Sequence, residues 1–314
     1  MSLWINKITK KTIVSFVFFL LATAFCPMWC YHLPPLALGL SNILDGGPLR
    51  EKFGWYLFGY TRYYHTDKFV NACGQPLGNV PSPAYDTWAL SPQVVYQSHT
   101  EILHGYLGIA AALPFVFYSH VEPNHLGFKD KGAGIGNFFL GPYIQWQPIK
   151  RNERPIFVHR LEFDVSFPIG SNDAPCKTIN PGTRFFFIDP YWAATLYLTP
   201  KAALSWRLQY LWCATNPRTR IRAGDAIHLN YSAEINPLKN LWIAITGYAL
   251  RQLKDSRFCK QLLLDSKEQV VAAGPGALYF FSPDNILSSY FYFEKKAKNR
   301  PQGMSFVVRF IKHF

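Results

Sequence analysis

The side chains best suited to chemistry are charged and amide residues at alternate positions of three segments. They are Arg160, Glu162, Asp164, Arg207, Gln209, His228, Asn230 and Glu234. Side chains two residues apart project from the same face of a β-strand. These groups could pair with one another as a structural network, or contact a solute, and the two roles are compatible because a charge network can also set the width of a passage.

None of these groups belongs to a recognisable catalytic or metal-binding motif. The sequence has no GxSxG elbow to present a nucleophilic serine. Its cysteines and histidines lack the CxxC or HxxxH spacing that zinc sites use. We therefore predict no catalytic residues, no metal and no cofactor, and the chain is not expected to be an enzyme.

The polar faces are opposed by apolar ones, which is the pattern of a β-strand with two different environments. Phe163, Leu208 and Tyr231 alternate with the polar groups of their segments. These alternating segments run for about 10 to 13 residues, longer than soluble strands and close to the length that a tilted membrane strand needs. Their apolar faces end in aromatic residues, as in the girdles of transmembrane barrels.

The connections between these segments alternate in length. Tight links are predicted at Ser98–Glu101, Thr199–Lys201, Pro237–Asn240 and Ser282–Asn285. Long links are predicted near residues 67–86, 119–135, 170–187, 214–225, 254–267 and 295–302. This rhythm predicts an all-β, antiparallel transmembrane β-barrel of about twelve strands, one of them an unbroken strand near 102–118. Short turns and both termini are expected on the periplasmic side and longer loops on the outer side.

The first residues are typical of an export signal. Lys7, Lys10 and Lys11 precede an apolar run over 13–21, and Ala22-Thr23-Ala24 offers a cleavage site. We predict a signal peptide over residues 1–24, whose removal lowers the formal net charge from +13 to about +10. Residues 25–53 are expected to form a periplasmic segment that either plugs the lumen or stays a disordered tail. Residues 54–314 are expected to form the barrel.

The C-terminus resembles the signal by which barrel-assembly machinery recognises its clients. Phe306, Val308, Phe310 and the terminal Phe314 alternate with polar residues, although Lys312 departs from the pattern. The chain is therefore expected to be a client of that machinery in the bacterial outer membrane.

The cysteines of the exported chain fall in or beside the long loops. They are Cys73, Cys176, Cys213 and Cys259. An exported protein meets oxidising conditions, so one or two disulfides are feasible, and free thiols are an equal alternative. The sequence does not choose among the three pairings that four cysteines allow.

Basic residues concentrate in the last three long links. They are Arg218, Arg220, Arg222, Lys254, Arg257, Lys260, Lys267, Lys295, Lys296, Lys298 and Arg300. They are either simply solvated, or they contact lipopolysaccharide phosphates or attract anionic solutes. Nucleic-acid binding is not expected, because the charges lie on separate loops without a recognition motif.

Several short motifs, in a fixed order, resemble those of one family. The motifs are Gly134-Ile135-Gly136-Asn137 leading to Gly141-Pro142, Phe167-Pro168-Ile169-Gly170, Asn180-Pro181-Gly182 with Trp192, Gly224-Asp225, Gly274-Pro275 and Arg300-Pro301-Gln302-Gly303. They resemble the MetA-like or SphA-like outer-membrane family linked to the meta-pathway of phenol degradation, with Asn137 where aspartate is usual. The resemblance covers roughly residues 45–314 and brings no catalytic residues.

The resemblance implies a transporter for small hydrophobic or aromatic compounds. A barrel of about twelve strands is also narrower than a general porin, which favours a restricted passage. Outer-membrane lipid, lipopolysaccharide and a small hydrophobic solute are the expected partners. A structural or surface-interaction barrel that binds lipopolysaccharide or a host ligand is the alternative. An outer-membrane lipase is less favoured, because it would need a Ser–His pair on neighbouring strands.

Overall fold

The structure is a computed structural model that describes residues 33–34, 36–48, 52–77, 82–172 and 178–314. The predicted signal peptide lies outside these residues. The described strands, in chain order, are β1 (Gly54–Thr66), β2 (Tyr85–Ile102), β3 (Gly105–Ala112), β4 (Phe115–Val121), β5 (Lys129–Asp130), β6 (Gly134–Ile135), β7 (Phe138–Trp146), β8 (Ile149–Arg151), β9 (Arg154–Phe167), β10 (Thr178–Ile179), β11 (Phe187–Thr199), β12 (Ala202–Cys213), β13 (Ile221–Arg222), β14 (Ala226–Leu238), β15 (Leu241–Gln252), β16 (Arg257–Phe258), β17 (Gln261–Leu262), β18 (Gln269–Ser282), β19 (Asn285–Lys298) and β20 (Met304–His313). Among the described residues, no helix is long and apolar enough to cross a membrane.

The long strands close into one antiparallel barrel. Their order around the wall is β1, β20, β19, β18, β15, β14, β12, β11, β9, β7, β3 and β2, and β2 pairs with β1 to complete the circle. The short β4 extends β3 along β2, so the wall has twelve strands. Because β1 pairs with β2, the two ends of the described sheet are joined. In lipid, backbone groups at an open sheet edge would lack hydrogen-bond partners. The prediction of an all-β antiparallel barrel of about twelve strands is confirmed.

The two rims of the barrel differ as the sequence predicts. One rim, the short-turn rim, carries two-residue turns at residues 103–104, 152–153, 200–201, 239–240 and 283–284, together with the start of β1 and the end of β20. The opposite rim, the long-loop rim, carries the longer connections. The smallest strands lie there, with β5 parallel to β10 and β16 between β13 and β17.

Three local predictions are wrong. The tight turn is not at Ser98–Glu101, because β2 continues to Ile102 and the chain reverses at Leu103 and His104, both with positive φ. Such a turn usually has Asn or Gly at these positions, and neither residue type occurs there.

The unbroken strand predicted near 102–118 is interrupted at Leu113 and Pro114, where proline has no N–H for the ladder. Lys295, Lys296 and Lys298 belong to β19 rather than to a loop. The lysine-rich end of β19 pairs with β18 beyond the point where the pairing of β19 with β20 ends.

The outer face of the wall is apolar. Leu208 in the middle of β12 is 46% exposed and Phe163 on β9 is 49% exposed, whereas the Arg207 side chain on the opposite face is 12% exposed. Tyr231 lies on the outer face of β14 and is half-buried. On β20, Phe306 and Phe310 are exposed on that face with the half-buried Val308, and Phe314 beyond the strand is also exposed.

Residues 36–48 lie inside the barrel, and we call them the luminal segment. Its Leu38 and Ile43 are fully buried in an apolar cluster with inner-wall residues such as Tyr248 and Tyr292. Hydrogen bonds attach the segment to distant parts of the wall. Gln145 of β7 donates to the Gly46 carbonyl, and the Tyr292 hydroxyl of β19 donates to the Gly39 carbonyl.

Candidate functional site in the barrel lumen

The strand register brings six of the eight predicted polar residues together in two adjacent layers of the inner wall, and Asp164 and Glu234 lie outside these two layers. In one layer Arg160, Ala193, Arg207 and Asn230 are successive cross-strand partners on β9, β11, β12 and β14. The next layer consists of Tyr143, Glu162, Tyr191, Gln209 and His228. Cross-strand partners have Cβ atoms about 5 Å apart, so each layer is a continuous polar surface.

Asp45 of the luminal segment meets two arginines from different sides of the lumen. The Arg207 Nε lies 2.7 Å from Asp45 Oδ2 and its second nitrogen lies 2.8 Å from Oδ1, which is a bidentate pair. Arg309 of β20 approaches the same carboxylate to 3.9 Å. Arg309 also donates to Ser41 and to the Ser288 hydroxyl, and Ser41 donates to Asp45. This cluster ties the segment to β12 and β20.

The charge state of Asp45 follows from these contacts. Burial alone would raise the pKa of its carboxyl. The charge and hydrogen bonds of Arg207, helped by Arg309 and Ser41, outweigh burial and hold the pKa below the usual 3.8. Asp45 is therefore ionised at neutral pH.

We expect attachment of the luminal segment to be insensitive to mild acid. A carboxyl whose pKa is lowered by its partners stabilises the docked form above its usual pKa and loses that contribution as the pH falls through the lowered value. The difference in planar-bilayer conductance between the wild type and Asp45→Asn should therefore be constant between about pH 5 and pH 7 and shrink only below 3.8. A transition near neutral pH that persists in Asp45→Asn would assign the titration to another group.

A second cluster surrounds Arg160 and Glu162. The Arg160 guanidinium donates to the Tyr191 hydroxyl at 2.7 Å and its Nε lies 3.4 Å from Glu162. Tyr191 in turn donates to Glu162, and the Arg207 guanidinium lies 4.2 Å from the centre of its ring. Tyr191 thus joins both clusters, through a hydrogen bond on one side and a cation–π contact on the other.

Asp164 lies beside Glu162, and no cation among the residues that the structure describes forms a salt bridge with it. Gly141 on β7 leaves room for both carboxyl groups, because a Cβ there would stand 2.2 Å from Asp164 Oδ1 and 2.8 Å from Glu162 Oε1. Gly141 is one of the family-motif positions, so this motif has a steric role in the lumen.

Of the remaining predicted residues, His228 and Gln209 form a third cluster, whereas Asn230 and Glu234 hold the luminal segment. His228 bonds to Asp189 at 2.9 Å through Nε2 and to Gln209 at 2.9 Å through Nδ1. Asn230 accepts from the Gly39 N–H, and Glu234 accepts from the Leu44 N–H. In the described part of the chain, no three His, Cys, Asp or Glu side chains are grouped so that they could share a metal ion.

Sequence reasoning missed the partners on the other side of these contacts. Asp45, Ser41 and Tyr191 were not singled out, and Arg309 was noted only as a polar residue opposite the apolar face of the last strand. Asp45 is the single charged residue of the luminal segment, which was the available signal. Which wall arginine it meets depends on the path of the segment, and strand periodicity does not describe that path.

The cysteines and loop cations are placed as follows. Cys73, Cys213 and Cys259 are free thiols, and Cys176 lies outside the described residues. Cys213 ends β12 and is buried, whereas the other two are exposed. At the long-loop rim, Lys254 and Arg222 approach Asp225 to 2.5 Å and 3.8 Å. Arg300 is buried beside Glu294 rather than solvated.

The family-motif residues mark places where backbones approach closely. Gly136, Gly170 and Gly182 converge at the long-loop rim, where a Cβ on Gly170 would stand 2.7 Å from the Gly182 Cα. Gly134 packs against Pro181. The remaining motif prolines are Pro142 and Pro275 on the outer face of the wall and Pro168 just after β9.

Gly274→Ala is expected to impair folding strongly. A Cβ at Gly274 would stand 1.8 Å from the Phe291 carbonyl oxygen of the neighbouring strand, which a side-chain rotation cannot relieve. Gly59→Ala is the matched control, because nothing lies within 4 Å of its Cβ position. The measurement is the yield of heat-modifiable folded barrel in each case. Equal yields would show that β18 and β19 can separate without cost.

A family model described as "Putative MetA-pathway of phenol degradation" matches residues 67–310. The chain belongs to this family. All of the motif glycines described above lie within the matched range. A comparison with curated protein sequences found no match to the chain.

Solved structures resemble this MetA-pathway family member in fold. The outer membrane channel from Pseudomonas putida F1 aligns with a TM-score of 0.72 at 13% identity, over 87% of this chain and 99% of that one. The translocator domain of the autotransporter NalP from Neisseria meningitidis has a TM-score of 0.48 at 9% identity, over 84% and 90% of the two chains. The CymD monoaromatic hydrocarbon channel has a TM-score of 0.39 at 10% identity, over 84% and 89%. The two scores below 0.5 carry no inference.

The barrel, its apolar outer face and its structural similarity place this family member in the bacterial outer membrane. Lipid therefore surrounds the wall at residues such as Leu208 and Phe163.

Proposed function

We propose that the protein is an outer-membrane channel for small hydrophobic or aromatic compounds, restricted by its own luminal segment. The observation that carries this proposal is that residues 36–48 cross the lumen of a twelve-stranded barrel and bind to its wall at several strands. Solutes can pass through such a barrel only in the space that the luminal segment leaves free. The family description, with its link to phenol degradation, supports an aromatic solute.

The lining of the lumen supports the same class of solute. On the wall formed by β1, β2, β3 and β7, the inner face carries Tyr56, Phe58 and Tyr143 packed with Val95 and Ala110. Apart from the contact of Gln145 on β7 with Gly46, the hydrogen bonds described above attach the luminal segment to other strands. We therefore propose that solutes move along this aromatic side of the barrel. Ring faces can contact an aromatic solute without fixing its orientation, which suits passage better than capture.

A crevice at the short-turn rim is the proposed opening of this path. It lies between Pro48, at the end of the luminal segment, and the wall, where its lining includes Phe53, Tyr106, Trp146 and Gln97. Phe53 and Tyr106 meet edge to face at 4.8 Å. We propose that this rim faces the periplasm and that the long-loop rim, with its basic residues, faces lipopolysaccharide. The C-terminal alternation that ends at Phe314 would then serve the barrel-assembly machinery.

Uptake into proteoliposomes whose outer leaflet contains lipopolysaccharide tests the channel function. Such a leaflet slows hydrophobic solutes, so passage through the protein can be separated from passage through lipid. We expect radiolabelled toluene and phenol to enter several times faster than into protein-free vesicles, whereas a disaccharide should not enter faster. Equal rates for the aromatics would contradict the proposal. Rapid entry of the disaccharide would indicate a general pore instead.

A further inference from the structure

The Asp45 carboxylate occupies a position that a solute carboxylate could take. It is held by the bidentate Arg207 and lies 3.9 Å from Arg309, whose strand is on a different side of the lumen. A carboxylate on the luminal segment is thus the counter-ion of two cations on the barrel wall. Displacement of Asp45 by a passing solute would leave both guanidinium groups without that counter-ion.

A guanidinium group that loses this counter-ion needs a replacement anion. Arg207 and Arg309 are almost fully buried, with 12% and 6% of their side chains exposed. Leaving a buried charge without its partner costs several kcal/mol. The planar fork of arginine matches a carboxylate or a phosphate oxygen pair. Arg207 and Arg309 are already arranged around a carboxylate, since both approach that of Asp45.

Aromatic rings complete the surroundings of the two cations. Tyr191 lies under the Arg207 guanidinium at 4.2 Å, and Tyr60 is the direct cross-strand partner of Arg309 on β1. Phe58 stacks on Tyr60 with ring centres 6.1 Å apart. An acid whose carboxylate reaches the arginines would therefore place the rest of the molecule among rings rather than in water. This arrangement favours an aromatic acid over a small inorganic anion.

We propose that Arg207 and Arg309 form a binding site for the carboxylate of a small aromatic acid, which displaces Asp45 as the luminal segment moves. This inference rests on the proposed channel function and narrows its solute class. The Asp45 carboxylate then competes with the solute carboxylate for the two arginines. Neutral aromatics would pass along the same rings without being held by the arginines.

Equilibrium dialysis of the detergent-solubilised full chain tests the site, with benzoate and its neutral isostere benzamide as probes. Asp45→Asn removes the competing charge and should bind benzoate at least about tenfold more tightly than the wild type, because charge-assisted bonds replace a protein contact. Benzamide should gain nothing. Adding Arg207→Gln to Asp45→Asn should abolish the gain. The matched control is Asp265→Asn, which changes an exposed loop carboxylate and should bind like the wild type.

Benzoate binding to Asp45→Asn that is no tighter than to the wild type, or no tighter than benzamide binding, would overturn the site. If Asp45→Asn does not fold, Arg309→Gln in the wild-type chain gives the second test, since it leaves the Arg207–Asp45 pair intact. It should lower the permeability of benzoate relative to chloride in planar bilayers, and an unchanged ratio would overturn the inference. Toluene uptake that exceeds the protein-free rate, combined with either failure, would leave the channel function standing and reject this inference alone.

Discussion

Leu208→Arg is expected to reduce the yield of assembled barrel by about thirtyfold or more. Leu208 lies midway along β12 on the outer face, where it is 46% exposed to the surroundings that lipid occupies in the membrane. An arginine at the bilayer midplane of a barrel costs about 2–4 kcal/mol. The measurement is the heat-modifiable fraction recovered after refolding into lipid vesicles.

Leu264→Arg is the control for this substitution. Leu264 is 75% exposed in the connection between β17 and β18, outside the barrel wall, so the same chemical change should leave the yield intact. If both variants assembled equally well, the outer face of β12 would not face lipid, and the strand register would have to be revised along the whole β9–β14 wall.

Arg207→Ala is expected to leave the barrel folded and to release the luminal segment. The substitution removes one partner of a buried pair, which typically costs about 3–5 kcal/mol because the other charge is left uncompensated. That cost falls on the docked form of the segment rather than on the wall, because the strand ladder of β12 does not involve the Arg207 side chain. We therefore expect higher and more fluctuating single-channel conductance with an unchanged heat-modifiable fraction.

The matched control for Arg207→Ala is Arg218→Ala. Arg218 is exposed in the connection that follows β12, so its loss changes the net charge equally without touching the lumen. Conductance that rises equally in both variants would mean that net charge, rather than the Asp45 contact, controls passage. Loss of the folded barrel in Arg207→Ala would mean that the arginine supports the wall itself.

The sequence predicted the barrel well because its signals are local. Alternation along Phe157–Ile169 and around Arg207 identifies two faces, and the alternating link lengths identify two rims. A one-residue slip would exchange every side chain between lumen and lipid, so the energetics fix the register wherever charges occur. The errors arose where local signals were weak, as at the Leu103–His104 turn, whose positive φ values have no Asn or Gly to announce them.

Of the residues that line the lumen, only those on the barrel wall could be predicted from the sequence. The residues that pair across it, such as Asp45 with Arg207, are 162 positions apart in the chain, and no periodicity relates them. The sequence left open whether residues 25–53 form a plug or a tail, since segments with several prolines and glycines are compatible with both. The motif glycines were recognised by resemblance, and only the structure shows that Gly141 makes room for two carboxyl groups.

Single-channel conductance of a chain that lacks residues 36–48 tests most directly whether the luminal segment restricts passage. Deleting residues 217–220 is the control, since the backbones of Asn216 and Ile221 on either side are already joined by a 2.8 Å hydrogen bond. We predict that the segment deletion raises conductance severalfold and admits a disaccharide, whereas the loop deletion matches the full chain. Unchanged conductance and continued exclusion of the disaccharide after removal of residues 36–48 would contradict the account.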